Sequence, residues 1–108
     1  MPGASQQSRM REARQYYIYI MASGPNGTLY TGMTNDPSGR VYEHREGLVE
    51  GFTKRYGIKR LVYFEVFPTA LGAIRREKRI KKYPRAWKIN LIRTQNPAWH
   101  DLAETLNS

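Results

Sequence analysis

The chain contains no cysteine and has few acidic residues. Without cysteine, its 108 residues can form no disulfide, bind no metal through thiolates and supply no cysteine nucleophile. Its apolar runs are shorter than the roughly 18 residues needed to span a bilayer, and the N-terminus has no apolar run typical of a signal peptide. These absences, with a length that suits a single core, predict one soluble cytoplasmic domain.

Basic residues outnumber acidic residues two to one. Eighteen lysines and arginines against nine aspartates and glutamates give a formal net charge of +9. Such a surface attracts polyanions, and phosphate backbones are the commonest of these. Half of the cations lie in one stretch in which Glu77 is the only acid: Arg75, Arg76, Lys78, Arg79, Lys81, Lys82, Arg85, Lys88 and Arg93. The predicted partner is therefore nucleic acid, and we expect no membrane association.

The N-terminal residues differ in pattern from those that follow. Residues 1–14 are small, polar and charged without apolar periodicity, which predicts a disordered or loosely attached leader before a domain at 15–108. Residues 16–21 are aromatic and β-branched and predict a strand. Residues 24–27 have turn chemistry and residues 28–33 predict a second strand, so the two strands form a hairpin.

Side chains alternate between the two faces of the predicted hairpin. Ile18 and Ile20 share the face that we expect to be buried. The opposite face then presents a platform of tyrosines that includes Tyr19 and Tyr30, with a gap at Gly32 where a ligand could approach the backbone. We therefore expect Gly32 to contact substrate.

One further strand and three helices are predicted after the hairpin. The signals are capping residues and prolines at helix starts, glycine or Asn-Pro at helix ends, and one apolar run that is rich enough in β-formers to be the central strand. The predicted ranges are a helix at 36–47, a loop or short helical turn at 48–58, the central strand at 61–67, helices at 70–82 and 84–96, and a docked amphipathic tail at 99–106. This order predicts a mixed α/β (α+β) fold, with a short three-stranded antiparallel sheet flanked by about three helices.

A single carboxylate in the basic stretch, Glu77, lies on the helix face that Ala73 and Ile80 mark as inward. Carboxylates are rarely buried without a partner, so Glu77 either pairs with a nearby cation or binds a metal ion. The spacing alone leaves both interpretations open.

Two residues on the first predicted helix suit a phosphate site. Arg40 and His44 are four residues apart and project from the same side, where a guanidinium could bind phosphate oxygens and an imidazole could exchange a proton. They could equally be solvated surface residues. Tyr19 and Tyr30 could be core aromatics, because an unperturbed phenol has a pKa near 10 and is a poor base at neutral pH.

Taken together, four motifs resemble the GIY-YIG nucleases. Residues 17–19 (Tyr-Ile-Tyr) and 30–32 (Tyr-Thr-Gly) look like the two half-motifs that name the family, with tyrosine in place of the first glycine and threonine in place of an isoleucine. Residues 40–44 resemble the helix that carries the family's arginine and histidine, and residues 73–78 resemble its metal-binding glutamate helix. Residues 96–99 resemble the C-terminal signature of its small stand-alone members.

The resemblance implies a metal-dependent endonuclease that hydrolyses DNA phosphodiester bonds at a single active site, in repair or recombination. Glu77 would hold one Mg²⁺ or Mn²⁺ ion and Arg40 would bind the scissile phosphate. Tyr19, Tyr30 or His44 would activate the attacking water. The expected substrate contacts besides Gly32 are Lys54, Arg55, Arg76, Lys78 and Asn96.

Two other functions fit the same sequence. One is a non-catalytic DNA- or RNA-binding module that keeps the fold and the basic surface. The other is a domain that docks a protein through an exposed apolar patch around Trp99 and Leu106. We expect a monomer or weak dimer in each case.

Overall fold

A three-stranded antiparallel sheet with helices packed on both faces organises the chain. The computed structural model describes residues 15–48 and 51–107, and the predicted leader at 1–14 lies outside them. The elements are β1 (Tyr16–Ala22), β2 (Leu29–Thr34), α1 (Pro37–Arg45), α2 (Phe52–Arg55), β3 (Arg60–Phe67), α3 (Ala70–Lys81), α4 (Arg85–Gln95) and a C-terminal 3₁₀ helix (Leu102–Asn107). The predicted fold class is confirmed.

The central strand of the sheet is β1, with β2 and β3 at the edges. The prediction that the third strand is central is therefore wrong. The outer edge of β3 is instead covered by the end of α4, where the Gln95 amide donates to the Phe64 carbonyl at 2.9 Å and accepts from the Phe64 N–H at 3.1 Å. Because a side chain replaces the missing neighbour strand, an apolar edge strand is tolerated here.

Each face of β1 contributes to a separate hydrophobic core. Ile18 and Ile20 are buried with residues of α3 and α4, as predicted for that face. The tyrosine face is also buried, because Val41 of α1 and residues near β3 pack against Tyr19. Tyr19 is only 2% exposed, so the expected open platform of tyrosines is not present. It is covered in part by α1, through Val41.

Side-chain caps fix the starts of the two helices that carry the candidate site residues. The Asp36 carboxylate accepts from the Gly39 N–H at 3.2 Å and caps α1, and the Thr69 hydroxyl caps α3 in the same way. A Cβ at position 39 would lie 2.3 Å from a carboxylate oxygen of Asp36, so glycine gives that cap its room. Gly47 follows α1 with a φ of +69°, which suits glycine at a helix end.

The C-terminal tail is docked on the sheet, as predicted. Trp99 is 4% exposed, and its carbonyl accepts from the Arg60 guanidinium at 2.9 Å. The Asp101 carboxylate accepts from the Leu61 N–H at 3.3 Å and pairs with Arg45. Because Trp99 belongs to the core, the apolar patch expected for protein docking is not on the surface at this residue.

Candidate active site

The phenol of Tyr19 is the meeting point of three candidate residues. Its oxygen accepts from Nε of Arg40 at 3.3 Å and lies 3.3 Å from Nε2 of His44. The ring centroid of Tyr30 lies 6.2 Å from that of Tyr19 and 5.3 Å from that of His44. The structure thus brings together four of the five residues for which catalytic roles were expected.

Local geometry explains why these side chains meet. Arg40 and His44 lie one turn apart on α1, so both project from the side that packs on the sheet. Tyr19 is paired with Gly32 across β1 and β2, and a Cβ at Gly32 would lie 2.5 Å from the Tyr19 hydroxyl oxygen. The Tyr19 side chain therefore fills the gap that was expected to admit a ligand at Gly32. The expectation that Gly32 contacts substrate is corrected accordingly.

The guanidinium of Arg40 reaches an open cleft while it holds Tyr19. Its Nη1 donates to the Glu43 carboxylate at 2.9 Å, and the two contacts use two of its five N–H groups. The cleft has a volume of about 310 Å³ and is lined by Met33, Thr34, Asp36, Arg40 and Glu43. Glu43 was missed at the sequence level, although its i,i+3 spacing from Arg40 indicates an ion pair.

Burial and charge determine the protonation states at this centre. Burial raises the pKa of Tyr19 to about 12, and this outweighs the hydrogen bond from Arg40, which lowers it. Burial, followed by the positive charge of Arg40, lowers the pKa of His44. The hydrogen bond to Tyr19 is the main cause that raises the pKa of Arg40. At neutral pH the centre thus contains a neutral phenol, a neutral imidazole and a guanidinium cation.

The hydrogen-bond directions follow from these states. Arg40 can only donate, so the Tyr19 oxygen is its acceptor, and the hydroxyl hydrogen can point to Nε2 of His44. This arrangement requires the proton of the neutral imidazole to be on Nδ1. That atom is buried and has no hydrogen-bond partner within residues 15–48 and 51–107.

The fifth candidate, Glu77, forms an ion pair on α3. Its carboxylate lies 3.0 Å from Nζ of Lys81 one turn along α3. The side chain of Glu77 is 19% exposed and that of Lys81 is 52% exposed. The negative charge of Glu77 is the smallest of the effects that raise the pKa of Tyr19. The ion pair, one of the two interpretations that the sequence left open for Glu77, is therefore present, and its approach to the tyrosines stays a prediction.

The surroundings of Glu77 limit the kind of metal site that this chain can form. No group of three or more histidine, aspartate or glutamate side chains is close enough to hold an ion in the part of the chain that the structure describes. A single carboxylate remains, a hard oxygen ligand of the kind that Mg²⁺ accepts when water and phosphate oxygens complete its shell. The exposed Lys81 is a weak competitor, because surface ion pairs contribute roughly 0–1 kcal/mol.

Arg76 was expected to contact substrate, but its side chain is held by hydrogen bonds within the fold. Its Nε and Nη2 donate to the two carboxylate oxygens of Glu65 on β3 at 2.9 and 2.8 Å, and its Nη1 donates to Tyr83 at 3.3 Å. Burial raises the pKa of Glu65, but the hydrogen bonds from Arg76 and Tyr63 together outweigh burial. The pKa is therefore lowered and the carboxylate stays ionised. Because these donors are occupied inside the fold, the expectation that Arg76 contacts substrate is corrected. Arg76 is a structural residue that connects α3 to β3.

Asn96 is likewise structural. Its Nδ2 donates to the carbonyls of Val62 at 3.1 Å and His100 at 2.8 Å, and its Oδ1 accepts from the His100 N–H at 3.0 Å. It is 4% exposed, so the expected substrate contact is corrected here too. The remaining expected contacts, Lys54, Arg55 and Lys78, are exposed and stay predictions.

Comparison with known proteins gives this geometry a family context. The sequence profile of the GIY-YIG catalytic domain matches residues 15–90, which include all five candidate residues. The chain belongs to the GIY-YIG family. The two half-motifs that name this family of nucleases lie on neighbouring strands of this chain. Residues 17–19 are in the central strand β1, and residues 30–32 are in the edge strand β2.

Relatives of this GIY-YIG chain include small bacterial proteins. It is 37% identical over 78 residues to a UPF0213 protein from Staphylococcus aureus, which covers 72% of the chain and 94% of the relative. A UPF0213 protein from Staphylococcus saprophyticus is 38% identical over the same shares. The solution NMR structure of a UPF0213 protein from Bacillus halodurans superposes with a TM-score of 0.51 at 30% identity, over 81% of this chain and 92% of that one.

In residues 15–48 and 51–107, no helix has the length and apolar character needed to cross a bilayer.

Proposed function

We propose that this GIY-YIG protein is an endonuclease that hydrolyses DNA phosphodiester bonds with one divalent metal ion. The observation that carries the proposal is the gathering of Arg40, His44 and Tyr30 around the phenol of Tyr19. A cation can stabilise the charge of a phosphodiester in the transition state, and a phenol and a neutral imidazole can transfer protons.

In this proposal, Arg40 binds the scissile phosphate. Its side chain is 36% exposed and lines the open cleft, so a phosphate can reach the N–H groups that Tyr19 and Glu43 leave free. A guanidinium can donate to two phosphate oxygens at once. It would stabilise the charge that grows on the non-bridging oxygens, an electrostatic effect of about 3 kcal/mol for a well-placed donor.

Tyr19 and His44 form the proposed proton relay. With a pKa of about 12, Tyr19 cannot act as a phenolate at neutral pH, whereas neutral His44 can accept a proton. As water attacks phosphorus, its proton passes to the Tyr19 oxygen while the Tyr19 proton passes to Nε2 of His44. The bond from phosphorus to the 3′ oxygen breaks, and the 3′ oxygen takes a proton from solvent. Tyr30, half-buried beside both rings, orients the water.

Glu77 is the proposed ligand of Mg²⁺ or Mn²⁺, since its carboxylate fits an ion whose shell is mostly water and phosphate oxygen. The chemistry that a bound ion supplies is stabilisation of the negative charge on the leaving 3′ oxygen. Lys81 would release the carboxylate and remain free to approach the DNA backbone.

Cleavage of supercoiled plasmid separates this function from that of a non-catalytic binding module. Nicked circles should accumulate in Mg²⁺ or Mn²⁺ and not in EDTA, while DNA binding persists in EDTA. A protein that binds DNA in EDTA but produces no nicks in either metal at any protein concentration would be the binding module instead. Arg40→Ala serves as the control for contaminating nucleases and should nick at least 100-fold more slowly, because it removes a phosphate donor.

A further inference from the structure

The outer surface of the α3–α4 hairpin contains a groove that the proposed chemistry does not use. It has a volume of about 440 Å³ and is lined by Arg75, Lys78, Arg79, Lys82, Tyr83 and Trp87. A second cavity of about 280 Å³ is also lined by Tyr83 and Trp87, and by α4 residues as far as Thr94. The two aromatic residues therefore border both cavities.

The cations of the groove form a single helical face. Arg75, Lys78 and Arg79 on α3 and Lys82 at its C-cap follow the i, i+3, i+4, i+7 spacing, and all four are exposed. The opposite face of α3 faces the core with Ala73. The groove is thus lined on one side by positive charge, which complements a row of phosphates.

The other side of the groove is aromatic and open to solvent. Trp87 is 56% exposed, although tryptophan is highly buried in most proteins. Its ring meets that of Tyr83 edge to face, with centroids 5.3 Å apart and an angle of 74° between the planes. An exposed indole beside phosphate-binding cations is the combination with which proteins stack unpaired bases.

The aromatic pair is held in place from within the fold. The Tyr83 hydroxyl accepts from Nη1 of Arg76, and the other nitrogens of Arg76 are fixed by Glu65 on the sheet. These contacts fix the Tyr83 ring, against which the Trp87 ring packs.

We propose that the α3–α4 groove binds an unpaired strand of the DNA substrate, with a base stacked on Trp87 and the adjoining phosphates held by the α3 cations. The inference rests on the proposed function and narrows its substrate class to DNA that has a single-stranded arm. In a duplex the base faces are already stacked, so Trp87 would gain little from fully paired DNA. An unpaired strand offers both a base face and a flexible backbone.

Fluorescence anisotropy in EDTA tests the groove independently of cleavage. Wild-type protein, Trp87→Ala and Trp87→Phe are titrated into a labelled oligothymidine of about 12 nucleotides and into a duplex of the same length. Trp87→Ala should weaken single-strand binding about tenfold and duplex binding less than about twofold, while Trp87→Phe restores most of the affinity. Because no metal is present, loss of cutting cannot produce or hide the result.

A matched pair of charge variants tests the contribution of the cations. Arg79→Ala removes a charge that lines the groove, and Arg93→Ala removes one from α4 outside both cavities. Arg79→Ala should weaken single-strand binding several-fold more than Arg93→Ala, although the loss of net charge is the same. Equal effects of the two variants would contradict a located site and leave only non-specific attraction.

Intrinsic fluorescence adds a direct readout, because the two tryptophans differ in exposure. Trp87 is exposed and Trp99 is buried, so oligothymidine should quench the wild type and leave Trp87→Phe unchanged. The proposal is overturned if Trp87→Ala binds the oligonucleotide as tightly as the wild type, or if it loses single-strand and duplex binding equally. It is also overturned if an acidic polypeptide such as polyglutamate quenches Trp87 as strongly as oligothymidine does, which would indicate a protein partner.

Discussion

The Nε of Arg40 and the hydroxyl oxygen of Tyr19 lie 3.3 Å apart, which joins α1 to the central strand through a cation and a phenol. This bond gives the guanidinium a fixed position at the edge of an open cleft. It also leaves the Tyr19 proton free to face His44, so the same contact orients a phosphate-binding group and a proton relay.

Arg40→Lys tests whether the shape of the guanidinium matters as well as its charge. A lysine keeps the charge but lacks the planar group that donates to Tyr19 from one nitrogen and to phosphate oxygens from the others, so kcat/KM for plasmid nicking should fall about 100-fold. Glu43→Gln is the control, since it removes the competing ion pair and should leave nicking intact or lower KM. Nicking by Arg40→Lys within about threefold of wild type would show that only charge is needed.

The pH profile of cleavage reports on His44. The relay needs a neutral imidazole, and burial holds the pKa of His44 below its ordinary value of about 6.5. We expect kcat/KM to stay constant from about pH 8 down to about 6.5 and to fall only below that value. His44→Gln should nick far more slowly and lose this acid limb, as measured by initial nicking rates across the range.

Thermal unfolding provides the control for a purely structural role of His44. Its pKa is depressed in the folded chain, so the unfolded chain binds the proton more readily and stability is lost as pH falls below about 6.5. Melting temperatures of wild type should decrease over that range more than those of His44→Gln. If the fall of kcat/KM at acid pH coincided with unfolding of the wild-type protein, the pH profile would give no evidence for a relay.

Gly32→Ala should disturb the site although it adds one methyl group. The new Cβ would lie 2.5 Å from the Tyr19 oxygen and 2.6 Å from Cζ, so the phenol must move away from Arg40. We expect nicking to fall at least about tenfold and stability to drop by about 1–3 kcal/mol in urea denaturation. Gly24→Ala meets nothing within 4 Å and should change neither quantity. Wild-type nicking by Gly32→Ala would show that the position of Tyr19 is unimportant.

Asn96→Ala should reduce stability without reducing DNA affinity. It removes three hydrogen bonds from a buried amide and leaves the Val62 and His100 partners unsatisfied. We expect a loss of about 2–3 kcal/mol in the free energy of unfolding and an unchanged Kd for DNA below the melting temperature. Weaker DNA binding at unchanged stability would restore the original expectation that Asn96 contacts substrate.

Local sequence signals were sufficient for most of the fold. Aromatic and β-branched composition located β1, and the capping signals at Asp36 and Thr69 located the starts of α1 and α3. The position of β3 in the sheet was predicted wrongly. Its apolar composition indicates that its faces are buried, but it does not indicate whether a strand pairs with it on both sides. The edge cover by Gln95 depends on a contact across 31 residues, which no local pattern reveals.

The candidate site was predictable where spacing along one element fixes geometry. The i,i+4 pair of Arg40 and His44 meets as expected, and the same rule applied to Glu43 would have found its ion pair. Arg76 was assigned to substrate because positive charge looks the same in a sequence whether a carboxylate neutralises it or not. Glu65, an acid within an apolar strand, was the available signal for its partner.

Comparing Glu77→Gln with Lys81→Ala tests the central claim most directly, because the two variants break the same ion pair from opposite sides. If Glu77 holds the catalytic metal ion, Glu77→Gln should lose plasmid nicking in Mg²⁺ and Mn²⁺ while it still binds DNA in EDTA, and Lys81→Ala should nick as well as wild type or need less metal. If both variants lost nicking and stability to the same extent, or if Glu77→Gln nicked like wild type, Glu77 would be a structural residue and the nuclease assignment of this site would be contradicted.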